Sequence, residues 1–592
     1  MAILRSISHS RTGRQYGKRI CLAIAFLIIF SINLVGAAEE SLQIRLNTIG
    51  YPLNCEKKAS IAAACTNFAV VRAADGSSVF TGKVTGPILD PDTQEQLCTA
   101  DFSALEQPGE YQLDVPGVGR SAPFRIAADV YRDPFSTVML GMYLWRCGTA
   151  VSATYHGQTF AHDPCHTNDA WLDFVGGGHT HKDGTKGWHD AGDYNKYTVN
   201  AGITVGTMLC AWEDFEPQIR KVRLQIPESG GALPDFLAEV KWELDWVLTM
   251  QADDGSVYHK VSTKRFGPFI MPEKETEDRY FTPWGSEATA LFAGMTAQAA
   301  RIYRPYDRAF ADRCLKAAQK SYQFLKAHPE FHRSDRVDVR TGSYEIRETG
   351  EISGRLNGIP NNRLWAEAEL WETTGSPDVL RDLETRIRTI NSKVNFEFDW
   401  DEVKDLGLMR YSLSQRPGRD PGVVTLVRSN LLAVADETVR TGRQHAYASP
   451  IGSLYNWGYN GFVARQTMIL MVADRLTRTE NRPEYRAACQ DALNFIFGRN
   501  YYCRSFVTGV GFRPPMHPHD RRSGADNIVD PWPGYLVSGP NSKATSWKDD
   551  QGDARSNEIA INWNAALVYA LAASLPDATK TNWRPVSTQV PR

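Results

Sequence analysis

The segment IAINWNAALVYALA, residues 559–572, decides the fold, because as a helix it carries apolar side chains around most of its circumference. A helix that is apolar on all sides is buried inside a protein and needs other helices to cover it. Helical spacing of apolar residues recurs in further segments, at 236–248, 289–303, 308–327, 363–374, 461–477 and 484–497. We therefore predict a mainly α domain in which outer helices cover inner ones.

The N-terminal part of the chain has a different pattern. Between Ser41 and about Ile126, short alternating apolar runs such as IRLNTIGY and PGEYQLDV are separated by turn residues. This spacing predicts a small β-sandwich. We place the sandwich at 39–128, the helical domain at 129–580 and a C-terminal tail at 581–592. No repeat of fixed period is visible in the sequence, which argues against a solenoid.

The first residues carry the features of an export signal. Several basic residues precede an apolar run at 20–35, and three small residues follow it at 36–38. This order predicts a signal peptide over 1–38, cleaved near Ala38. The alternative is a retained membrane anchor, because the run is slightly long for a signal and slightly short for a spanning helix. We favour cleavage, which predicts a secreted or periplasmic protein without a membrane segment.

Charge and cysteine content limit the class of partner. The net charge is −2 with both signs mixed along the 592 residues, so the basic field that nucleic acid or an anionic membrane requires is missing. A neutral substrate suits this balance.

Of the ten cysteines, nine lie beyond the signal segment, an odd number at irregular spacing. That argues against a dense disulfide framework and leaves room for metal ligation.

Long irregular segments at 155–190, 253–285, 327–360 and 500–555 hold most of the candidate chemistry. At the end of the first lies GWHDAGDY, residues 187–194, in which Asp190 and Asp193 are separated by Ala and Gly. Two carboxylates at this spacing can face one cavity, hold a water molecule and take its proton. A calcium loop or a helix cap explains the spacing equally well.

Glu558 follows Asn557 directly before the apolar segment 559–571. A carboxylate at a helix start is commonly just a favourable partner of the helix dipole, which stabilises its ionised form. A general acid instead needs a raised pKa, which burial or a neighbouring carboxylate such as Asp549 would supply. The sequence alone leaves both interpretations of Glu558 open.

Two other groups of residues stand out in the irregular segments. His519 and Arg521, in PHDR at 518–521, could donate hydrogen bonds to substrate hydroxyls, although a surface loop with incidental charges has the same composition. A second set of two thiols and two imidazoles would make a closed, structural zinc site, with unrelated buried cysteines and surface histidines as the alternative. This set is Cys147, Cys165, His166 and His189. Since His189 precedes Asp190, a zinc there would hold the backbone that carries the carboxylates.

Taken together and in this order, the segments resemble glycoside hydrolase family 9, the inverting cellulase family, in its subgroup with an N-terminal immunoglobulin-like domain. IRLNTIGYP, PGEYQLDVPGVGRSAPF and VYRDPF look like that subgroup's sandwich. GWHDAGDYNKY resembles the family's base loop, SFVTGVGFRPPMHPHDR its histidine signature and WKDDQGDARSNEIAINWNA its acid signature. The resemblance covers nearly all of the chain beyond the signal segment.

The resemblance implies roles for single residues. Asp193 would be the general base, Asp190 would help to hold the nucleophilic water and Glu558 would protonate the leaving oxygen. The remaining matches are His519 and Arg521 as sugar contacts, Asp549 as the acidic position of the acid signature, and zinc on the four ligands named above. The implied catalytic fold is an (α/α)6 barrel, and the implied substrate is a β-glucan. We expect the protein to be a monomer. Calcium is also implied, without ligands that the sequence identifies.

Four positions depart from the family pattern, at Ala554, Glu287, Asn361 and Asn362. Ala554 and Glu287 would reshape the cleft, so polymeric cellulose is not the only substrate to consider. The leading hypothesis is an endo-acting β-1,4-glucanase. The alternatives are an exo-enzyme on short oligosaccharides, including glucosamine-containing ones whose ammonium Glu287 would pair, a non-catalytic glycan-binding relative, and a zinc-dependent hydrolase.

Overall fold

The computed structural model describes residues 40–344 and 362–576. The predicted signal peptide at 1–38, Asn361, part of the irregular segment 327–360 and the tail at 581–592 lie outside the described residues. Over the described ranges, no helix combines the length and the apolar character that a membrane crossing requires.

Two sheets make up the N-terminal domain. The strands are β1 Ile44–Arg45, β2 Gly50–Tyr51, β3 Lys58–Ile61, β4 Asn67–Arg72, β5 Ser78–Lys83, β6 Thr85–Leu89, β7 Gln96–Asp101, β8 Gly109–Val115, β9 Gly119–Arg120 and β10 Phe124–Ile126. One sheet has the order β1-β3-β7-β6, and the other has the order β2-β10-β8-β4-β5 with β9 beside β8. Their strands pair antiparallel except for β2, which is parallel to β10. Residues of both sheets, among them Ile61 and Leu113, share one apolar core. The predicted β-sandwich is confirmed.

Helices dominate the chain beyond Tyr131. They are α1 Arg132–Leu144, α2 Thr198–Ile219, α3 Asp235–Thr249, α4 Ser286–Tyr303, α5 Arg308–Ala327, α6 Arg363–Thr374, α7 Pro377–Thr389, α8 Lys404–Leu413, α9 Pro421–Gln444, α10 Tyr459–Leu476, α11 Glu484–Ile496, α12 Ala554–Asn557 and α13 Ile561–Ala573. A hairpin, β11 Val151–Tyr155 and β12 Gln158–His162, follows α1. A three-stranded sheet joins β13 Lys196–Tyr197, β14 Lys260–Ser262 and β15 Tyr280–Phe281.

The helices form two layers. In the inner layer α2 packs on α4, α4 on α6, α6 on α8, α8 on α10 and α10 on α13, and α13 packs back on α2. Outer helices cover these, for example α5 over α4 and α11 over α10. All residues of α13 from Ile561 to Ala572 are buried, whereas α5 buries only one face. The predicted inner helix at 559–572 is therefore confirmed as an element of the core.

One predicted helix boundary is wrong, and its error bears on function. The helix predicted from residue 559 begins at Ile561, because Glu558 and Ile559 are extended chain that bridges to His519 and Val537.

Burial also produces a helix that the sequence analysis did not single out. Every residue of α2 from Thr198 to Leu209 is buried, although this stretch is rich in Gly, Thr and Val, which are poor helix formers.

Buried polar contacts join the sandwich to the helical domain. Arg45 donates to both carboxylate oxygens of Glu95 at 2.6 and 2.8 Å, and the Tyr447 hydroxyl donates to the same carboxylate at 2.6 Å. In the turn between β6 and β7, Asp92 accepts a hydrogen bond from the Tyr455 hydroxyl at 2.8 Å. The sandwich thereby supports the segment that leads to Trp457, which is 51% exposed.

Both polar atoms of the Asn47 side chain form hydrogen bonds at this interface, and we expect Asn47→Ala to lower the Tm. Its amide nitrogen donates to the Tyr131 hydroxyl at 2.8 Å and to Asn494 Oδ1 at 3.1 Å, and its oxygen accepts from the N–H groups of Ile49 and Gly50. The substitution leaves the N–H groups of Ile49 and Gly50 without this acceptor, at a cost of about 2 kcal/mol, whereas Tyr131 and Asn494 keep their hydrogen bonds from Gln490. Thermal unfolding measures the loss, and Asn54→Ala, on the exposed surface of the same domain, is the control. Equal Tm values for both variants would contradict this account.

Candidate active site

The loop at 187–194 holds two buried carboxylates, Asp190 at 1% and Asp193 at 6% exposure. Between them, Gly192 approaches the backbone of His519 so closely that a Cβ atom would lie 2.0 Å from the His519 carbonyl oxygen. Only glycine fits at this position. The glycine between the two aspartates therefore allows the histidine signature, at His519, to pack against them.

Asp190 is held from three sides. Its carboxylate accepts hydrogen bonds from Asn200 Nδ2 at 2.8 Å and from the Tyr344 hydroxyl at 2.7 Å. Its carbonyl oxygen accepts from the N–H of Ile561, the first residue of α13, at 3.0 Å. Burial and then the charge of Asp193 raise the pKa of Asp190 to about 8. This side chain is well placed to orient a bound water through its hydrogen-bonded carboxylate.

Asp193 has partners that favour its ionised form. The carboxylate accepts a hydrogen bond from Asn195 Nδ2 at 2.6 Å. Burial raises the pKa of Asp193, but the Arg521 guanidinium and the Asn195 amide act in the opposite direction. Of the two loop aspartates, Asp193 is thus the one with a cation at hand to stabilise a negative charge.

Glu558 lies in the extended residues between α12 and α13, and the residue as a whole is half-buried. Its carbonyl oxygen accepts from Ser538 N–H at 2.8 Å. Burial first, and then the charges of Asp193 and Asp190, raise the pKa of Glu558 well above the ordinary value. Because α13 begins only at Ile561, Glu558 is not in its first turn, and the simple interpretation as a dipole partner does not fit.

The structure corrects the place expected for Asp549. The carboxylates that raise the pKa of Glu558 are Asp193 and Asp190 rather than Asp549. Asp549 instead accepts hydrogen bonds at 2.9 Å from the backbone N–H groups of Met516 and His517 and pairs with Arg504 at 3.0 Å. It holds the part of the histidine signature that leads to His519, and its predicted contact with substrate stays a prediction.

His519 and Arg521 both border the carboxylates. His519 Nδ1 lies 2.7 Å from the carbonyl oxygen of Gln551, so Nδ1 carries the proton and Nε2 is left as an acceptor in the neutral ring. Arg521 is 6% exposed and donates through Nη1 to the Gly192 carbonyl at 2.8 Å. The histidine signature, the base loop and Glu558 therefore meet at one place.

Tyr344 and Asn200 are functional candidates that the sequence analysis missed. Asn200 lies seven residues beyond Asp193, in a helix that is buried on all sides. Its position in the sequence therefore looks like that of an ordinary core residue. Tyr344 lies 154 residues from Asp190, in an irregular segment with no periodic signal. No local pattern could have shown that its hydroxyl reaches the carboxylate.

The four predicted zinc ligands come together beside this site. One donor atom each from Cys147, Cys165, His166 and His189 lies within 4.8 Å of all the others. The thiol-to-imidazole distances are 3.7 Å for Cys147 to His166 Nδ1 and 3.6 Å for Cys165 to His189 Nε2. Tetrahedral zinc with ordinary bond lengths requires about 3.6 Å. Over residues 40–344 and 362–576 this is the one such cluster found, and calcium stays a prediction without ligands.

The surroundings of the cluster also fit a structural metal. Glu275 lies 3.2 Å from His166 Nε2, the ring nitrogen that faces away from Cys147, as expected of a carboxylate that orients a ligating imidazole. The N–H of Cys147 donates to the Gly187 carbonyl at 2.7 Å, and the N–H of His189 donates to the Trp145 carbonyl at 2.8 Å. The cluster thus ties the end of α1 to the loop that carries Asp190.

Two of the positions that depart from the family pattern, Glu287 and Asn362, contact each other in the structure. Glu287 is 6% exposed and accepts a hydrogen bond from Asn362 Nδ2. Burial raises its pKa to about 8. Asn362 Oδ1 in turn accepts from the Val403 N–H at 2.8 Å. A carboxyl enclosed in this way does not favour the predicted pairing of Glu287 with a sugar ammonium. Ala554 is the first residue of α12.

Comparison with known proteins extends these findings. The family model described as glycosyl hydrolase family 9 matches residues 131–571, and that of the cellulase N-terminal ig-like domain matches residues 39–120. The chain is 53% identical to endoglucanase D of Acetivibrio thermocellus, over 90% of this chain and 83% of that protein. It is 32% identical to a cellodextrinase of Butyrivibrio fibrisolvens, over 90% of this chain and 100% of that protein.

A solved structure agrees with this assignment. The crystal structure of a metagenome-derived glycoside hydrolase family 9 endoglucanase superposes with a TM-score of 0.83 at 32% identity, over 90% of this chain and 99% of that one. Both domains found in the structure are therefore matched by known domains in the same order. The chain belongs to glycosyl hydrolase family 9 and is a glycoside hydrolase with an immunoglobulin-like domain before its catalytic domain.

Proposed function

We propose that this protein is an exported, inverting β-1,4-glucan hydrolase in which Asp193 is the general base and Glu558 the general acid. The observation that carries the proposal is that Asp190 and Asp193 interact with Glu558, which lies more than 350 residues further along the chain. The three carboxyl groups have different neighbours, and these neighbours shift their pKa values differently. Arg521 and Asn195 favour an ionised Asp193, whereas two neighbouring carboxylates favour a protonated Glu558.

The order of helix contacts supports an (α/α)6 barrel as the catalytic fold. The six inner helices contact one another in a ring from α2 to α13 and back, and six outer helices cover them. The starts of α2 and α13 adjoin the carboxylates, since Thr198 follows Asp193 closely and Ile561 N–H donates to Asp190. This arrangement would place the catalytic groups at one end of the barrel.

In the proposed reaction, a water molecule held by Asp190 and Asp193 attacks the anomeric carbon. The water gives one proton to Asp193, the glycosidic bond breaks, and Glu558 gives its proton to the leaving oxygen. The attack comes from the face opposite the leaving group, so the configuration inverts. Exchange with solvent then restores the proton on Glu558 and removes the one on Asp193.

The metal cluster has a supporting part in this proposal. Cys147, Cys165, His166 and His189 would hold a zinc ion, which when bound supplies a rigid cross-link and no open coordination position for substrate. The residues of the cluster hold the loop backbone from which Asp190 and Asp193 project. A zinc-dependent hydrolysis is therefore not favoured.

An endo-acting enzyme on polymeric β-1,4-glucan is the first candidate, because the relative at 53% identity is an endoglucanase. The second candidate is action on short oligosaccharides, which the name of the cellodextrinase at 32% identity suggests. We further propose that the protein acts as a monomer outside the cytoplasm, on the basis of the signal-like sequence at 1–38.

Product analysis tests this function. Soluble β-1,4-glucan is incubated with the protein, product lengths are followed over time, and the anomeric configuration of the first products is recorded by NMR. Mixed oligomers with the α configuration are expected. Release of one short product only would favour the second candidate, β products would contradict inversion, and inactivity on every β-glucan would contradict the function.

The pH dependence of kcat/KM is expected to have two limbs. Activity should fall as the pH decreases through the pKa of Asp193, because the base becomes protonated, and as the pH increases through the pKa of Glu558, because the acid loses its proton. Since burial raises both pKa values, both limbs should lie above those of exposed carboxyls. An acid limb at or below about 3.9 would contradict a buried aspartate as the base.

Tyr344→Phe is expected to lower kcat by about 10- to 100-fold with little change in Tm. The substitution removes one of two side-chain hydrogen bonds to Asp190, and leaving a buried polar group without a partner costs about 1–3 kcal/mol. Steady-state kinetics on soluble glucan measures the effect. Tyr280→Phe, at a hydroxyl away from the carboxylates, is the matched control. Unchanged kcat in Tyr344→Phe would mean that Asp190 needs no such support.

A further inference from the structure

A groove opens between the C-terminal half of α5 and the turn at 252–255, with a volume of about 660 Å³. Its walls are the aromatic rings of Trp284 and Phe324, with His328 beside them. The polar side chains that line it are Asp254, Gln319, Lys320 and Gln323. None of these residues belongs to the candidate active site.

The aromatic wall is held rigidly. The Trp284 ring stacks on His332 with centroids 4.0 Å apart and meets Phe324 edge-on at 4.9 Å. His332 is fixed in turn, because its N–H donates to Ser286 Oγ at 2.9 Å and its carbonyl accepts from the Ser286 N–H at 2.8 Å. A ring that is already ordered loses little conformational entropy when a ligand packs on it.

The opposite wall is equally well defined. At Gly255 the φ angle is +100°, and a Cβ atom there would lie 2.8 Å from the Lys320 carbonyl oxygen, so only glycine allows the turn to approach α5. Ser321 Oγ donates to the Gly255 carbonyl at 2.8 Å and anchors the turn. The groove is therefore a built feature of the fold.

The polar lining is unengaged and balanced in charge. Within the described parts of the chain, the side chains of Gln319, Lys320 and Gln323 make no hydrogen bond or ion pair. Asp254 uses only Oδ1, which accepts from Ser256. Amide groups both donate and accept hydrogen bonds, as hydroxyl groups do, and one acid beside one base leaves no net charge. Such a lining with an aromatic wall matches a neutral, polyhydroxylated ligand better than an ion.

The groove lies on the catalytic side of the helical domain. Gly202 near the start of α2 packs on Leu291 near the start of α4, so both helices begin at the same end, and Trp284 directly precedes α4. The sheet β13-β14-β15 also connects the two places, from just after Asp193 to just before Trp284. With strands about 4.8 Å apart, β15 lies about 10 Å from β13.

We propose that this groove is a second glycan-binding site, which holds part of a β-linked glucan chain outside the catalytic cleft. The inference rests on the proposed function for the class of ligand. The site would raise the affinity for long chains, which can contact both the groove and the carboxylates. Short oligosaccharides would gain nothing from it.

The test compares Gln319→Ala/Gln323→Ala with Lys316→Ala, an exposed position of the same helix that does not line the groove. KM is measured on soluble β-1,4-glucan and on a short β-1,4-oligosaccharide, with Tm as a check of folding. We expect KM for the polymer to rise about 5-fold or more in the double variant, with unchanged kcat/KM on the oligosaccharide. In Lys316→Ala both should stay at the wild-type values.

The possible outcomes separate this proposal from the proposed function. If the wild-type enzyme hydrolyses the polymer and the double variant has the same KM for it, the proposal of a second binding site is wrong and the proposed function stands. An equal loss on polymer and oligosaccharide would also overturn it, because the groove would then act through the catalytic site. A wild-type protein without activity on any β-glucan would contradict the function itself, and with it the ligand proposed here.

Discussion

Glu558→Gln is expected to lower kcat on soluble β-1,4-glucan by about 10³-fold without loss of the fold. The amide keeps the shape of the side chain but has no acidic proton for the leaving oxygen. At pH 7 the Tm should stay unchanged or rise. The raised pKa means that ionisation of this carboxyl is penalised in the folded state and not in the unfolded state, so above the unfolded pKa the wild-type group costs stability.

A substrate with an activated leaving group separates the acid from the base. An aryl β-cellobioside with a very acidic phenol needs no proton on departure, so Glu558→Gln should recover most of its rate on that substrate. Asp193→Asn should stay inactive on both substrates, because it still lacks a base for the water. Asp550→Asn, an exposed carboxyl of the acid segment, is the control. Recovery in Asp193→Asn instead of Glu558→Gln would reverse the assignment.

The layered helical fold could be predicted because burial leaves a local trace in the sequence. The helix predicted at 308–327 has those bounds in the structure, since an exposed outer helix alternates polar and apolar residues with helical spacing. The α2 helix has no such alternation, because it is buried on all sides and its Gly, Thr and Val residues have low helix propensity. Tertiary packing rather than local preference forms that helix.

The candidate site could be predicted as a set of residues but not as a geometry. Asp190, Asp193 and Glu558 were found through motifs, yet their proximity depends on loops that meet only in the folded chain. The approach of Gly192 to the His519 carbonyl is one such contact. Tyr344 is another, since its hydroxyl reaches Asp190 from a segment without periodicity. Contacts of this range leave no pattern within either segment.

Cys147→Ala is expected to abolish zinc binding and to lower the Tm by several degrees. The four side chains are brought together at distances that suit a tetrahedral ion, and metal binding to residues that meet only in the folded chain stabilises the folded state. Metal analysis should find one zinc per wild-type chain and none in the variant. Cys314→Ala, at an equally buried cysteine outside the cluster, should keep the zinc.

The activity of the zinc-free protein decides what the ion does. With four protein ligands the ion has no free position, so it acts by holding the end of α1 against the loop of Asp190 and Asp193, through the backbone bonds of Cys147 and His189. Activity during chelation should therefore decrease in parallel with the folded fraction, followed by circular dichroism on the same samples. If activity disappears while the protein remains folded, the zinc takes part in the reaction itself, and the zinc-dependent alternative becomes the better account of this site.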